Sequence, residues 1–391
     1  MPQFSSLEPS IDPNNRATFL LDWEVTMKCN LDCSYCPTGV EFGSHDNSTV
    51  HPALAACLDS IDFMFAYVDL YMRHKSPPFR YVVLNVYGGE SLHHPDIVEI
   101  LKQVRSRHEP YQDRWSLTVT TTTNLIVPRK KLEQIHPLID EWTVSYHAES
   151  RPRQKAQFRD NLSYLNSTGT RLKCVVMMHD RPHLFEDSRE MVAWLDKQGI
   201  RSQPRQIDNR GNVLVHNQRQ AGDRKVAIGT YDQQQLIWFD GLYKTRSYNA
   251  DIEIKSSQPT MLSQVGRACC GGRQTCQDQN YAARNYFVND NRFRGWQCSV
   301  NWFFLYVKQI TGDVYHNKDC RMRFDGTIGA IGNVKQAATM LDELDRSLRQ
   351  NSLPVITCDR DQCLCGLCAP KAADLPTYKK IMPKYVKDYA L

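Results

Sequence analysis

The stretch Phe19-Leu-Leu-Asp-Trp23-Glu-Val-Thr-Met-Lys28-Cys29-Asn-Leu-Asp-Cys33-Ser-Tyr35-Cys36-Pro37 decides how this chain is read. Phe19–Val25 is a largely apolar run of strand type. Cys29, Cys33 and Cys36 follow on one short loop at C-x3-C-x2-C spacing. Three thiolates are one ligand short of closing a [4Fe–4S] cube, so one iron would lack a cysteine. An open iron, like the open position of a catalytic zinc, can bind and activate another molecule. Zinc is the competing chemistry, with the loop recruiting one remote ligand. Paired C-x2-C spacings are the commoner zinc pattern.

Outward from this stretch, strand-type runs alternate with helical spacing. His51–His74 carries Leu54, Cys57, Ile61, Met64, Phe65, Val68 and Tyr71 at helical intervals. Tyr81–Tyr87 is an apolar run broken only by Asn85, and it ends in Gly88-Gly89. Further strands are expected at 115–122, 142–147, 171–178 and 202–207. Further helices are expected at 96–104, 130–136, 154–165 and 186–198. Six strand–helix units predict an α/β fold, an open, partial (β/α)6 TIM-like barrel over residues 19–207. Residues 1–18 read as an N-terminal tail. Residues 208–266 are polar and read as a connecting or lid segment, with one helix near 233–243. Residues 267–391 hold nine of the fourteen cysteines, a helix at 334–350 and a Lys/Tyr-rich tail.

In barrel folds, chemistry sits on loops at the C-terminal ends of strands. The cysteine triplet, Gly88-Gly89-Glu90 and Asn124 all fall at such ends and are expected on one rim. The chain has 391 residues, 41% of them apolar, enough for one large core and a smaller one. A net charge of +5 permits an anionic partner without requiring one. No run of about 18 apolar residues occurs, so no membrane association is expected. The opening Met-Pro-Gln-Phe-Ser-Ser lacks the pattern of a signal peptide, so a cytoplasmic location is expected. Fourteen cysteines in such a chain suggest metal sites rather than disulfides. Cys57 and Cys174 lie within apolar patterns and read as core.

Lys28-Cys29-Asn-Leu-Asp-Cys33-Ser-Tyr35-Cys36 resembles the signature loop of the radical SAM superfamily, including the aromatic Tyr35 before the third cysteine. The resemblance implies that Cys29, Cys33 and Cys36 hold three irons and that the fourth chelates S-adenosylmethionine. One-electron reduction would then release a 5′-deoxyadenosyl radical that abstracts a substrate hydrogen. The electron would come from a small reductant protein of flavodoxin or ferredoxin type. Gly88-Gly89-Glu90 is similar to the family's GGE motif, which holds the methionyl amine. Glycines there admit close backbone approach, and a carboxylate can accept from an ammonium. Thr120–Leu125 resembles the family's Thr-Asn-Gly strand end, with Leu125 in place of glycine. Ser145 and His147 resemble the strand-end residues that contact the cofactor's ribose or carboxylate. Arg205, on the sixth strand, is placed to meet a carboxylate or an adenine edge.

The later cysteines form a second group. Trp296-Gln297-Cys298 leads into an apolar run, then a Gly312-Asp313 turn, a returning strand and Cys320. A hairpin there would bring Cys298 and Cys320 together. Cys358, Cys363, Cys365 and Cys368 follow. The arrangement resembles the twitch or SPASM extensions that hold auxiliary [4Fe–4S] clusters. Asn317 stands where that pattern places a cysteine, and the seven-cysteine series for two clusters is incomplete. One auxiliary cluster is expected, on Cys298, Cys320, Cys363 and one of Cys358, Cys365 or Cys368. A structural zinc is the alternative for this group. Cys269, Cys270 and Cys276 could supply a ligand or gate the site.

The expected activity is radical chemistry on a peptide, protein or small molecule. Two alternatives stand beside it. One is the same chemistry on a nucleic acid or modified nucleotide, given the basic residues of 201–224. The other is a zinc-stabilised, non-catalytic nucleic-acid-binding module.

Overall fold

The computed structural model describes residues 6–7, 17–36, 51–73, 79–207, 219–221, 224–226, 231–245, 293–317, 320, 323, 327–350, 353–358 and 370–384. Six strands and five helices alternate along the first half. They are β1 (Ala17–Thr26), α1 (Leu54–Met72), β2 (Phe79–Gly88), α2 (Ile97–His108), β3 (Ser116–Thr123), α3 (Arg129–Ile135), β4 (Glu141–His147), α4 (Pro152–Ser167), β5 (Arg171–Met178), α5 (Pro182–Lys197) and β6 (Ser202–Gln206). Each strand pairs in parallel with the next. The fold is therefore α/β, with the open, partial barrel that the alternation predicted.

Strand parity explains the layering. Phe19, Leu21, Trp23 and Val25 of β1 are fully buried, as are Val82 and Leu84 of β2 and Val144 of β4. They face a helical layer that buries Cys57, Ile61, Met64 and Val68 of α1 and Ile100, Leu101 and Val104 of α2. Cys57 and Cys174 are both fully buried in this core, as their patterns implied. The opposite parity is polar: Asp22 and Glu24 on β1, Asn85 on β2, Thr120 and Thr122 on β3, Thr143 and Ser145 on β4, Lys173 on β5, Arg205 on β6. Asn85 Nδ2 donates to Asp22 Oδ1 at 3.1 Å, and Thr120 Oγ1 donates to Asn85 Oδ1 at 3.3 Å, linking three strands across this inner face. Helix α5 starts four residues before its expected Glu186, because Pro182 fits the first helical turn.

The sequence set the cysteine-rich C-terminal part apart from the barrel, yet β7 (Phe304–Lys308) joins the barrel sheet. It lies parallel to β1, with Phe304 opposite Leu20 and Lys308 opposite Glu24. Trp23 Nε1 donates to Gln309 Oε1 at 2.8 Å, and Tyr71 Oη donates to the Asn301 carbonyl at 2.6 Å. A hairpin follows through β8 (Asp313–Tyr315), then β9 (Gly332–Asn333), giving the order β9-β8-β7-β1-β2-β3-β4-β5-β6. The helix expected at 334–350 is a 3-10 turn, Val334–Gln336, running into α6 (Ala337–Arg349). A separate four-stranded sheet joins Ser6–Leu7, Lys371–Ala372, Gln297–Cys298 and Ile356–Thr357. The helix expected in the connecting segment is observed at Gln233–Thr245. Among the described residues, no helix is long and apolar enough to cross a membrane.

Candidate functional site

The cysteine loop leaves the C-terminal end of β1 and meets the ends of β2, β3, β4 and β5. Backbone comes first. Gly89 N donates to the Thr26 carbonyl and Glu90 N to the Lys28 carbonyl, each at 2.8 Å. The chain leaving β2 thus runs against the segment that enters the cysteine loop. A Cβ on Gly88, whose φ is +153°, would lie 1.9 Å from the Thr26 carbonyl oxygen. One on Gly89 would lie 2.3 Å from that of Met27. These glycines admit the close approach of a neighbouring stretch of backbone.

Glu90 follows, 1% exposed. Its Oε1 accepts from Leu92 N at 3.0 Å and Thr123 Oγ1 at 2.8 Å, and its Oε2 accepts from Asn124 N at 2.6 Å. The carboxylate therefore ties the turn after β2 to the end of β3. Burial pushes its carboxyl up to about 7, against the pull of those three donors.

Asn124 acts next. Its Nδ2 donates to Asn30 Oδ1 at 2.7 Å and points at Cys29 Sγ from 3.8 Å. Asn30 returns a hydrogen bond to the Ile126 carbonyl at 3.0 Å. Leu125 takes φ +58°, in the left-handed region that favours glycine. Its N–H donates to Thr123 Oγ1 at 2.8 Å, and its carbonyl accepts from Asn161 Nδ2 at 3.0 Å. The turn keeps its shape without the glycine.

On the far side, the Tyr35 hydroxyl lies 2.8 Å from His147 Nδ1 and the two rings stack. Burial lowers His147 to about 4, so the ring is neutral. Glu149, which the sequence reading missed, holds the neighbouring Ser34 through the serine's N–H and hydroxyl. Burial alone would raise the Glu149 carboxyl; hydrogen bonds from His179 and Ser34 outweigh it and hold the group below the usual range. The only sequence signal for Glu149 and His179 was their place just past the ends of β4 and β5. His94, just past the Gly88-Gly89-Glu90 turn, is fully buried, with Nε2 2.9 Å from the Pro52 carbonyl and Nδ1 accepting from Asp96 N.

Ser145 and Arg205 share the inner face through the register of β4, β5 and β6. Ser145 is half-buried and Arg205 exposed. The structure thus gathers Cys29, Cys33, Cys36, Tyr35, Gly88, Gly89, Glu90, Asn124 and His147 at one rim.

The donor set suits an iron–sulfur group. Leu31 N donates to Cys29 Sγ at 3.4 Å, the kind of N–H···S contact that stabilises a ligating thiolate. Among the described residues, no three histidine, cysteine, aspartate or glutamate side chains converge as a single metal ion requires. A cube instead meets each thiolate at a different iron.

In the second group, Cys298 pairs with Ile356 and Lys371 across the small sheet. The ladder continues to Cys358, whose N–H donates to the Trp296 carbonyl at 2.8 Å and whose carbonyl accepts from Gly295 N at 2.7 Å. Cys298 and Cys358 therefore occupy diagonal positions on one face of two paired strands, about 7–8 Å apart at Cα. Cys298 and Cys320 are both buried. Cys363, Cys365 and Cys368, like Cys269, Cys270 and Cys276, lie outside the described residues.

No family model matches the sequence. No curated protein matches it either. Several solved structures show a distant similarity to this chain. Native anSMEcpe with bound AdoMet is 11% identical, with a TM-score of 0.46, over 94% of this chain and 96% of that one. Native anSMEcpe with bound AdoMet and Kp18Cys peptide is 10% identical over the same shares, with a TM-score of 0.48. At that similarity nothing about a reaction transfers from them.

Proposed function

We propose that this protein is a radical S-adenosylmethionine enzyme. The observation that carries the proposal is the clamping of a C-x3-C-x2-C loop at the C-terminal rim of a parallel partial barrel, with Glu90 and Asn124 behind it. Cys29, Cys33 and Cys36 would hold a [4Fe–4S] cluster. When bound, that cluster supplies one electron to the sulfonium of S-adenosylmethionine and so gives a 5′-deoxyadenosyl radical.

The chain's own residues do the rest. Leu31 N–H and Asn124 Nδ2 address Cys29 Sγ, while burial pushes its thiol up to about 12. Glu90 accepts three hydrogen bonds and a carboxylate has about four acceptor positions, which leaves one for the methionyl ammonium. Such a cation would relieve the burial that raises its carboxyl. Ser145, His147 and Arg205 fall on the inner face as contacts for the rest of the cofactor. The polar inner face, with Thr122, Thr143 and Lys173, would receive a peptide, protein or small-molecule substrate. Cys298, Cys320, Cys358 and Cys363, with Cys365 and Cys368 nearby in sequence, are the ligand pool for one auxiliary [4Fe–4S] cluster.

The test is anaerobic iron–sulfur reconstitution, reduction with dithionite and measurement of 5′-deoxyadenosine. The expected product is a brown protein with about eight irons per chain for two cubes. It should release 5′-deoxyadenosine. Stoichiometric zinc with no cleavage of S-adenosylmethionine would overturn the proposal and favour the zinc-stabilised binding module.

A further inference from the structure

Ser34 and Tyr35 are the two residues between Cys33 and Cys36, and they are gripped from outside the loop. Glu149 Oε2 accepts the Ser34 N–H at 2.7 Å, and Glu149 Oε1 accepts the Ser34 hydroxyl at 2.5 Å. Taking both donors of one residue fixes its backbone and its side-chain rotamer together. His179, fully buried after β5, stands behind this contact. Its Nε2 is 3.4 Å from Glu149 Oε1 and 3.5 Å from Ser34 Oγ. Its Nδ1 is 2.8 Å from Asp180 Oδ1, and its ring packs edge-on against Tyr35. One face of the Cys33–Cys36 bridge is thus held by a carboxylate that reaches over from beyond β4.

We propose that Glu149, backed by His179, is a positioning residue for the cysteine loop. It shapes the Cys33–Cys36 bridge before any cluster is present, and it sets a fixed negative charge beside the cluster once bound. The first part follows from the hydrogen bonds alone. The second rests on the iron–sulfur reading above. Local charge is one of the terms that set an iron–sulfur reduction potential, and a nearby anion makes the added electron harder to accept. Glu149 and Asp180 both face the His179 imidazole, and Glu149→Gln removes the carboxylate that reaches the cysteine loop. The isosteric amide can still accept the Ser34 N–H, whereas Glu149→Ala cannot.

Two measurements test the two parts separately. The first is amide hydrogen exchange over residues 30–36 in the metal-free full chain. Loss of a hydrogen bond to a charged group should speed exchange at Ser34 about tenfold or more in Glu149→Ala. It should change little in Glu149→Gln. Unchanged exchange in the alanine variant would overturn the shaping role. The second is the midpoint potential of the reconstituted cluster, followed by EPR. Glu149→Gln should shift it positive, and Glu149→Asp should restore it toward wild type. An unshifted potential in Glu149→Gln with full iron content would overturn the charge role. A wild-type chain that takes up no iron would refute the iron–sulfur reading and with it the charge role, while the exchange result still decides the shaping role.

Discussion

The two cysteine-bearing regions are held together by different bonds. Around Cys29, Cys33 and Cys36, side chains reach in from the ends of several strands: Glu90 braces β2 against β3, Asn124 clamps Asn30, Glu149 clamps Ser34 and His147 meets Tyr35. Around Cys298 and Cys358 the described contacts combine the backbone ladder of a small sheet, with Gly295 N donating to the Cys358 carbonyl at 2.7 Å, and side-chain bonds such as Ser299 Oγ to the Pro370 carbonyl at 2.7 Å. A ladder tolerates most side chains. A set of side-chain clamps depends on each residue at its place, so the first region should be far more sensitive to single substitutions.

The sharpest way to break this contrast is to delete a thiol from each region. Cys33→Ala should abolish 5′-deoxyadenosine formation and drop iron from about eight to about four atoms per chain. Cys298→Ala should lose a similar amount of iron yet retain cleavage of S-adenosylmethionine. Equal loss of cleavage in both would show that the regions act as one site.

Backbone contact gives the next effect. Gly88→Ala pushes a methyl into the Thr26 carbonyl in a left-handed conformation and should cost about 4 kcal/mol in denaturant unfolding. Gly199, at φ +66° with open space around it, should cost only about 1 kcal/mol as alanine. Similar losses at the two positions would mean that the close approach at Thr26 is relaxed in solution.

Glu90 gives the pH signature. Its carboxyl is raised from 4.5 to about 7 in the folded chain. The folded state therefore holds the extra proton between those values. Its stabilising contribution is complete below pH 4.5 and is lost as pH rises through 7. The loss amounts to about 3 kcal/mol in the cofactor-free protein. Glu90→Gln should flatten this slope in chemical denaturation at a series of pH values; an unchanged slope would assign it to other groups. The smallest effect is expected from Asn124→Ala, about 1 kcal/mol of stability with faster exchange at Asn30. A loss no greater than that of an exposed alanine substitution would remove Asn124 from the clamp.

Local pattern carried the barrel because most of the parallel strands are short apolar or β-branched runs and the helices show their own period. The pairing of β7 with β1 was not legible, because a parallel partner hundreds of residues away leaves no local trace. At the site, the cysteine spacing and the Gly88-Gly89-Glu90 turn stood out as chemistry. The structure adds that the glycines seat neighbouring backbone and that Glu90 accepts three hydrogen bonds inside the protein. Leu125 looked like a departure that would disturb the strand end. Thr123 and Asn161 instead hold its backbone in the glycine conformation, so surrounding hydrogen bonds replace intrinsic freedom. Glu149 and His179 escaped notice because periodicity stops at the strand end, and only the fold shows which loop residues turn back toward the cysteines.

The parallel seat of β7 beside β1 also orders the birth of the protein. Trp23 waits for Gln309, 286 positions later in the chain, to close that side of the sheet. Ribosomes add about 5–20 residues per second, so the nascent β1 edge stays unpaired for tens of seconds. An unpaired strand edge is a template for foreign strands. A chain cut short before residue 304 would carry that edge permanently and should clump, while the full-length chain caps it with its own last third.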